Sequence, residues 1–228
     1  MKKVAIFDVD GTLFRSSLLI KLVEGFIEDG VFPQAAQDGY LDQLTAWQDR
    51  AGTYHAYIMA VVDVFHNNLQ GVPYTAFRAT SERVVDEAKD HVYRYTRDLV
   101  RDLKSKGFYL LAISHSPKGI LDDFCKTVGF DKVYGRFYEL GPTERFTGEM
   151  VDRHIIENKA NIVRRVVTKE GLTLEQSIGV GDTESDIPFL ELVERPICFN
   201  PNSELYAWAK RTGAEVVVER KDVVYTIQ

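Results

Sequence analysis

Lys3-Val4-Ala5-Ile6-Phe7-Asp8-Val9-Asp10-Gly11-Thr12-Leu13 lies at the start of the chain, and its reading decides the fold. Val4 to Phe7 is an unbroken apolar run, stopped abruptly by Asp8-Val9-Asp10-Gly11. A strand inside a parallel sheet is covered on both faces, so it reads as a continuous apolar run rather than an alternating one. The run predicts a buried parallel strand that carries two carboxylates and a glycine bend at its carboxyl end. In open parallel sheets, ligands bind beyond that end.

Outward from this stretch the same pattern recurs. Phe108 to Ile113 is a second apolar run, entering Ser114-His115-Ser116-Pro117. There Ser116 suits a helix N-cap and Pro117 the first helical position. Val133 to Leu140 and Arg145 to Met150 flank Gly141-Pro142 and predict a hairpin or flap. Ile178-Gly179-Val180 runs into Gly181-Asp182, and Ile197 to Phe199 and Glu215 to Val218 are later strands. Between them lie helical faces, such as Val92, Tyr95, Leu99 and Leu103, then Ile120, Leu121, Phe124 and Val128, then Ala160, Val163, Val166 and Val167. Alternating strands and helices predict an α/β fold, a Rossmann-like doubly wound parallel sheet. After the first strand the alternation is interrupted. Leu18, Leu19, Leu22, Val23, Phe26 and Ile27 recur at helical spacing, and further helical patterns run over 40–50, 53–69 and 73–89 with many aromatics. This block reads as a helical cap domain at 15–88, inserted into a core of 1–14 and 89–228.

Composition bounds the function. The chain has 228 residues, 45% hydrophobic and 27% charged, which is ordinary for a globular protein with a full core. A formal net charge of −6 argues against a protein whose main task is gripping nucleic acid. Cys125 and Cys198 form neither a disulfide framework nor a zinc motif, and read as small core residues in a reducing compartment. The apolar run after Met1-Lys2-Lys3 ends at Asp8, short of the roughly 7–15 residues of a signal peptide. No apolar stretch approaches the roughly 18 residues of a membrane span. These features predict a cytoplasmic chain with no nucleic-acid or membrane partner.

Four polar clusters fall at strand ends or adjacent helix starts. Asp8 and Asp10 can share a hard cation and divide the roles of nucleophile and proton donor. An EF-hand reading of this run fails, since that loop needs Gly at its sixth position and Glu at its twelfth. Ser114, before a helix, suits a phosphate cradle of hydroxyl and backbone N–H groups, with His115 a possible lining residue. Lys159, near a helix start, can neutralise a phosphoryl group and the Asp8 carboxylate together. Asp182 can complete an oxygen-rich magnesium site, with Asp186 in the turn after it. Each cluster alone also has an ordinary structural reading, as a turn, a cap, a solvated lysine or an acidic helix start.

Taken in order, Phe7-Asp8-Val9-Asp10-Gly11-Thr12-Leu13, Ile113-Ser114, Lys159 and Gly181-Asp182 through Asp186 resemble the haloacid dehalogenase superfamily. The helical insertion resembles its type-one cap. The Ser-His-Ser-Pro loop and the Gly-Asp-Thr-Glu-Ser-Asp-Ile-Pro run resemble the branch that includes phosphoserine phosphatase. The resemblance implies a Mg2+-dependent phosphomonoester hydrolase acting on a small phosphorylated metabolite, as a monomer or homodimer. It implies that Asp8 attacks phosphorus to form an aspartyl-phosphate. Asp10 would serve as acid and then base, and Lys159 would steady the charge. Thr12, Ser114, His115 and Lys159 would hold the phosphate. The metal would sit on the side chains of Asp8 and Asp182 and the Asp10 carbonyl, with Asp186 in support. Phosphoserine-cleaving members are expected to carry an acid shortly after the first motif. Here Phe14 to Leu19 contains none and the next is Glu24, which argues against phosphoserine. A phosphomutase or phosphotransferase of the same fold, or a phosphate-binding regulator, are the competing readings.

Overall fold

The computed structural model describes residues 1–151 and 158–227. Residues 152–157 and 228 of the expected core lie outside the described residues. Strands β1 (Lys2–Phe7), β2 (Tyr109–Pro117), β3 (Lys132–Leu140), β4 (Phe146–Val151), β5 (Leu172–Gly181), β6 (Arg195–Phe199), β7 (Glu215–Arg220) and β8 (Val223–Ile227) form one sheet. Its order is β4-β3-β2-β1-β5-β6-β7-β8. The run from β3 to β7 is parallel, and β4 and β8 are antiparallel at the two edges. The fold is therefore α/β with a mixed, mostly parallel sheet. From β1 the chain first builds outward through β2 and β3, then returns to build through β5, β6 and β7. The crevice at the carboxyl ends of β2, β1 and β5 sits where that direction reverses, the usual ligand position in such sheets.

The apolar run of β1 is continuous because its side chains alternate between two cores. Ala5 and Phe7 join one buried cluster, Val4 and Ile6 the other. In β2, Leu110 and Ala112 likewise separate from Leu111 and Ile113. One face is covered by α7 (Lys159–Glu170), α8 (Ile187–Leu190) and α9 (Ser203–Thr212), and the other by α5 (Arg94–Ser105) and α6 (Lys118–Val128). Gly129, Gly171 and Gly213 end α6, α7 and α9 in the left-handed conformation. The expected start of α6 differs by a residue or two. β2 continues through Pro117, which caps the helix by position with no side-chain bond, and Ser116 stays in the strand. Two features went unread: β8, and the first half of β5 from Leu172. The first half of β5, Leu172 to Gln176, is mixed in polarity and lacks the apolar run that marked the inner strands, whereas β8, Val223-Val224-Tyr225-Thr226-Ile227, carries a β-branched run of its own.

Between β1 and β2 lie α1 (Leu18–Glu28), α2 (Asp38–Gln48), α3 (Tyr54–Leu69) and α4 (Tyr74–Ala88). They share one continuous apolar cluster with a face of the sheet, from Phe7 and Phe14 through Phe26 and Phe65 to Phe124. The two crossings between block and sheet run side by side. Arg15 N–H donates to the His91 carbonyl at 2.8 Å and Tyr93 N–H to the Leu13 carbonyl at 3.0 Å. On the far side, Arg78 of α4 grips Asp123 of α6 through two bonds of 2.7 and 3.0 Å. Residues 71–74 also pair with the β3–β4 hairpin, through Gly71 N–H to the Phe146 carbonyl and Tyr74 N–H to the Glu144 carbonyl, both 2.8 Å.

Phe124 ties these layers together. It is fully buried and meets Phe14 edge-on at 5.4 Å. Phe124→Ala should lower the unfolding free energy by about 3–5 kcal/mol, read from urea melts with unchanged m-value.

Candidate active site

At the end of β1 the chain leaves the sheet through a tight turn. Asp8 N–H still pairs with the Val180 carbonyl of β5 at 2.9 Å, and Gly11 N–H reaches the carbonyls of Phe14 and Ser16 at 3.0 and 2.9 Å. Gly11 has a φ of +82°, and a Cβ there would stand 2.1 Å from an Asp182 carboxylate oxygen. Only glycine permits both the conformation and the approach. Gly181, at the end of β5, is constrained by space alone, since its Cβ would lie 2.5 Å from Asp186.

Lys159 opens α7 beneath this turn. It is 2% exposed, and its Nζ donates to Asp8 Oδ1 and Asp186 Oδ1, each at 2.6 Å. The other oxygen of Asp186 accepts from the backbone N–H groups of Asp182 and Thr183 at 3.0 and 3.2 Å. Asp8, Asp182 and Asp186 offer carboxylate oxygens within 4.8 Å of one another. Burial opposes the charge on Lys159, but Asp186 and Asp8 outweigh it and raise its pKa. Burial pushes the Asp8 carboxyl well above the ordinary carboxylate range; Lys159 pulls it down, while Asp186 and Asp10 push it further up. Asp182 is raised in the same way, by burial first and then by Asp8 and Asp186. Three carboxylates thus face one ammonium. An all-oxygen donor set with excess negative charge fits a hard divalent cation such as Mg2+.

Asp10 turns away from this acid group. Its Oδ1 accepts from Leu18 N–H, the first residue of α1, at 2.6 Å. Its Oδ2 accepts from the hydroxyls of Ser114 at 2.5 Å and Ser116 at 2.8 Å. Any share of Asp10 in the cation site falls to its backbone, because its side chain is engaged with β2 and α1. Thr12 is fully buried, and its hydroxyl donates to Asp182 Oδ1 at 3.2 Å rather than facing the crevice. Ser114 and Ser116 lie on one side of β2. His115, between them in the sequence, is half-buried. Asp8, Asp10, Ser114, Lys159, Asp182 and Asp186 therefore converge, with Thr12 behind them.

Two residues were not anticipated. Ser116 was read as a cap, yet it binds Asp10; its spacing two residues from Ser114 on a strand was the available signal. Tyr54, at the start of α3, is the other. Its ring is 40% exposed, while burial around its hydroxyl, then the charges of Asp10 and Asp182, raise its pKa. No local pattern links residue 54 to residues 10 and 182.

Two outcomes test this geometry. Gly11→Ala should cost well over about 1 kcal/mol of stability, because strain and the clash with Asp182 add. In chelator, the raised carboxyl pKa values mean that the folded state holds protons more tightly than the unfolded chain. Stability from this source is full below the ordinary carboxylate range near pH 4 and is lost as pH rises through the folded-state values. Thermal melts of the wild type against Asp182→Asn should show a shallower decline in the variant, and added Mg2+ should restore the wild type at neutral pH.

Comparison with known proteins agrees with the geometry. Histidinol-phosphatase of Neisseria meningitidis serogroup C is 26% identical, over 95% of this chain and 99% of its own. Phosphoserine phosphatase of Archaeoglobus fulgidus is 25% identical, over 90% of this chain and 54% of its own. A Bordetella pertussis protein of unknown function superposes with a TM-score of 0.72 at 19% identity, covering 95% of this chain and 98% of that one. A phospho-aspartyl intermediate analogue of phosphoserine phosphatase superposes at 0.61 and 19% identity, covering 97% and 95%. The family model for haloacid dehalogenase-like hydrolase matches residues 5–191, and the chain belongs to that family.

Proposed function

We propose that the chain is a Mg2+-dependent phosphatase that hydrolyses a small phosphomonoester through an aspartyl-phosphate on Asp8. The observation that carries this reading is the convergence of Asp8, Lys159 and Asp182 with Asp10 beside them, at the carboxyl ends of β1 and β5. The phosphatase names of the two relatives support it.

Mg2+ held by Asp8 and Asp182, with Asp186 behind, would supply charge neutralisation and polarise a phosphoryl oxygen. The remaining chemistry belongs to the side chains. Lys159 fixes one oxygen of Asp8, which orients the carboxylate for in-line attack on phosphorus. As the new P–O bond forms and the ester P–O bond breaks, Asp10 gives a proton to the departing oxygen. In the second half, Asp10 takes a proton from water. The water oxygen attacks phosphorus, the bond to Asp8 breaks, and inorganic phosphate leaves.

Ser114 links binding to this proton traffic. Its hydroxyl has a single proton and donates it to Asp10 Oδ2. A phosphate oxygen that accepts that proton instead releases Asp10 Oδ2 from one of its two hydroxyl donors. Part of the crevice is built to position rather than react. Asp186 serves Lys159 and the turn backbone, and Thr12 fixes Asp182.

Phosphate release from a panel of phosphomonoesters should require Mg2+ and vanish with chelator. Asp8→Asn should lose it to background. Asp10→Asn and Ser114→Ala should each reduce kcat, by roughly 10²–10⁴-fold for the acid–base residue. Release that survives Asp8→Asn would rule out the covalent route.

A further inference from the structure

Asp10 receives two serine hydroxyls, and the chemistry above occupies only one of them. Ser114 can turn its proton from Asp10 to a phosphate oxygen. Ser116 has no part in those steps, yet it is 3% exposed and its hydroxyl donates to Asp10 Oδ2 at 2.8 Å.

The backbone is shaped to make that contact. Side chains two residues apart on a regular strand stand about 6.6 Å apart. Here both hydroxyls bond a single oxygen atom, at 2.5 and 2.8 Å. The register of β2 accounts for the difference. Ile113 pairs with Tyr134 of β3 and Pro117 with Arg136, so four steps along β2 match two along β3. Ser114, His115 and Ser116 lie inside this bulge, a device that re-aims side chains next to active sites. Gly135 of β3 gives it room, because a Cβ there would stand 2.9 Å from the Ser116 carbonyl oxygen. Ser116 also braces its neighbour: its backbone N–H donates to Ser114 Oγ at 2.9 Å.

The donors on Asp10 then divide by role. Leu18 N–H holds Oδ1 at 2.6 Å, and Ser116 holds Oδ2. One donor on each oxygen, from α1 and from β2, keeps the carboxyl plane fixed while the Ser114 proton is on the phosphate. Each carboxyl oxygen has a further lone pair for the proton that Asp10 moves.

We infer that Ser116 is the positioning residue of the acid: it holds Asp10 in place for proton transfer to the departing oxygen, while Ser114 serves the phosphate. This deepens the phosphatase reading and rests on it. Ser116 acts through Asp10 and not on phosphorus.

The test compares phenyl phosphate with 4-nitrophenyl phosphate in the full chain with Mg2+. The two leaving groups are similar in shape, but phenolate is much the stronger base and depends more on a proton from the acid. The ratio of their kcat/KM values reports the step in which the ester bond breaks. Ser116→Ala should widen the preference for the 4-nitrophenyl ester by about fivefold or more over wild type, a part of what acid–base catalysis supplies. Ser116→Thr, which keeps the hydroxyl, should hold the ratio near the wild-type value. A hydroxyl that bound phosphate, or one that only packed β2, would lower kcat/KM for both esters alike. A ratio that Ser116→Ala leaves unchanged would therefore overturn the inference and leave the phosphatase reading standing. Phosphate from neither ester, in wild-type protein shown to be folded, would defeat the hydrolytic reading and this role with it.

Discussion

The structure of this protein depends on one buried ammonium. Lys159 sits 2.6 Å from Asp8 and from Asp186, almost wholly out of water. Removing such a charge from solvent costs several kcal/mol unless its partners are well placed, and each carboxylate carries a similar cost. The contact is therefore satisfied only when β1, β5 and α7 are all in register. The pairing of Ile6 with Gly179 and Phe7 with Val180 sets Asp8 level with Gly181, one residue before Asp182. The Thr183 turn then returns Asp186 beneath it, its second oxygen tied to two backbone N–H groups.

That arrangement is also electrostatically incomplete. Burial, and then the charge of the neighbouring acids, raises the pKa of Asp8 and Asp182 against the pull of Lys159. The same deficit of positive charge makes the crevice receptive to a divalent cation, and through it to a phosphate. Asp10 is held apart from this deficit. Its three donors come from α1 and β2, so Asp8 and Asp10 share a strand end but not a set of partners. Two carboxylates two residues apart can then take different roles. The close contacts at Gly11 and Gly181 leave no space for a side chain between them.

The inserted helices are bound into the same frame. They share an apolar cluster with one sheet face, and Arg78, the hairpin contacts at 71–74 and the paired crossings at 13–15 and 91–93 attach them on more than one side. Within that frame Trp47, Tyr54 and Tyr57 pack ring against ring.

The inner strands, the α/β alternation and the acid, serine and lysine positions were legible because their signals are local. A continuous apolar run, a strand-ending Asp-x-Asp-Gly and a Gly-Asp turn can each be read within a few residues. The order of those pieces along the chain carried the family resemblance. What each polar side chain touches was not legible. Ser116 and Ser114 both bind Asp10 across more than a hundred residues, and Thr12 binds Asp182 across 170. β8, like the inner strands, was legible, as the β-branched run Val223-Val224-Tyr225-Thr226-Ile227. The aromatic residues of the insertion were visible as composition. Which of them meet, as Trp47 meets Tyr54 and Tyr57, was decided only when the helices packed, because hydrophobic pattern specifies which face of a helix is buried and not what lies opposite it.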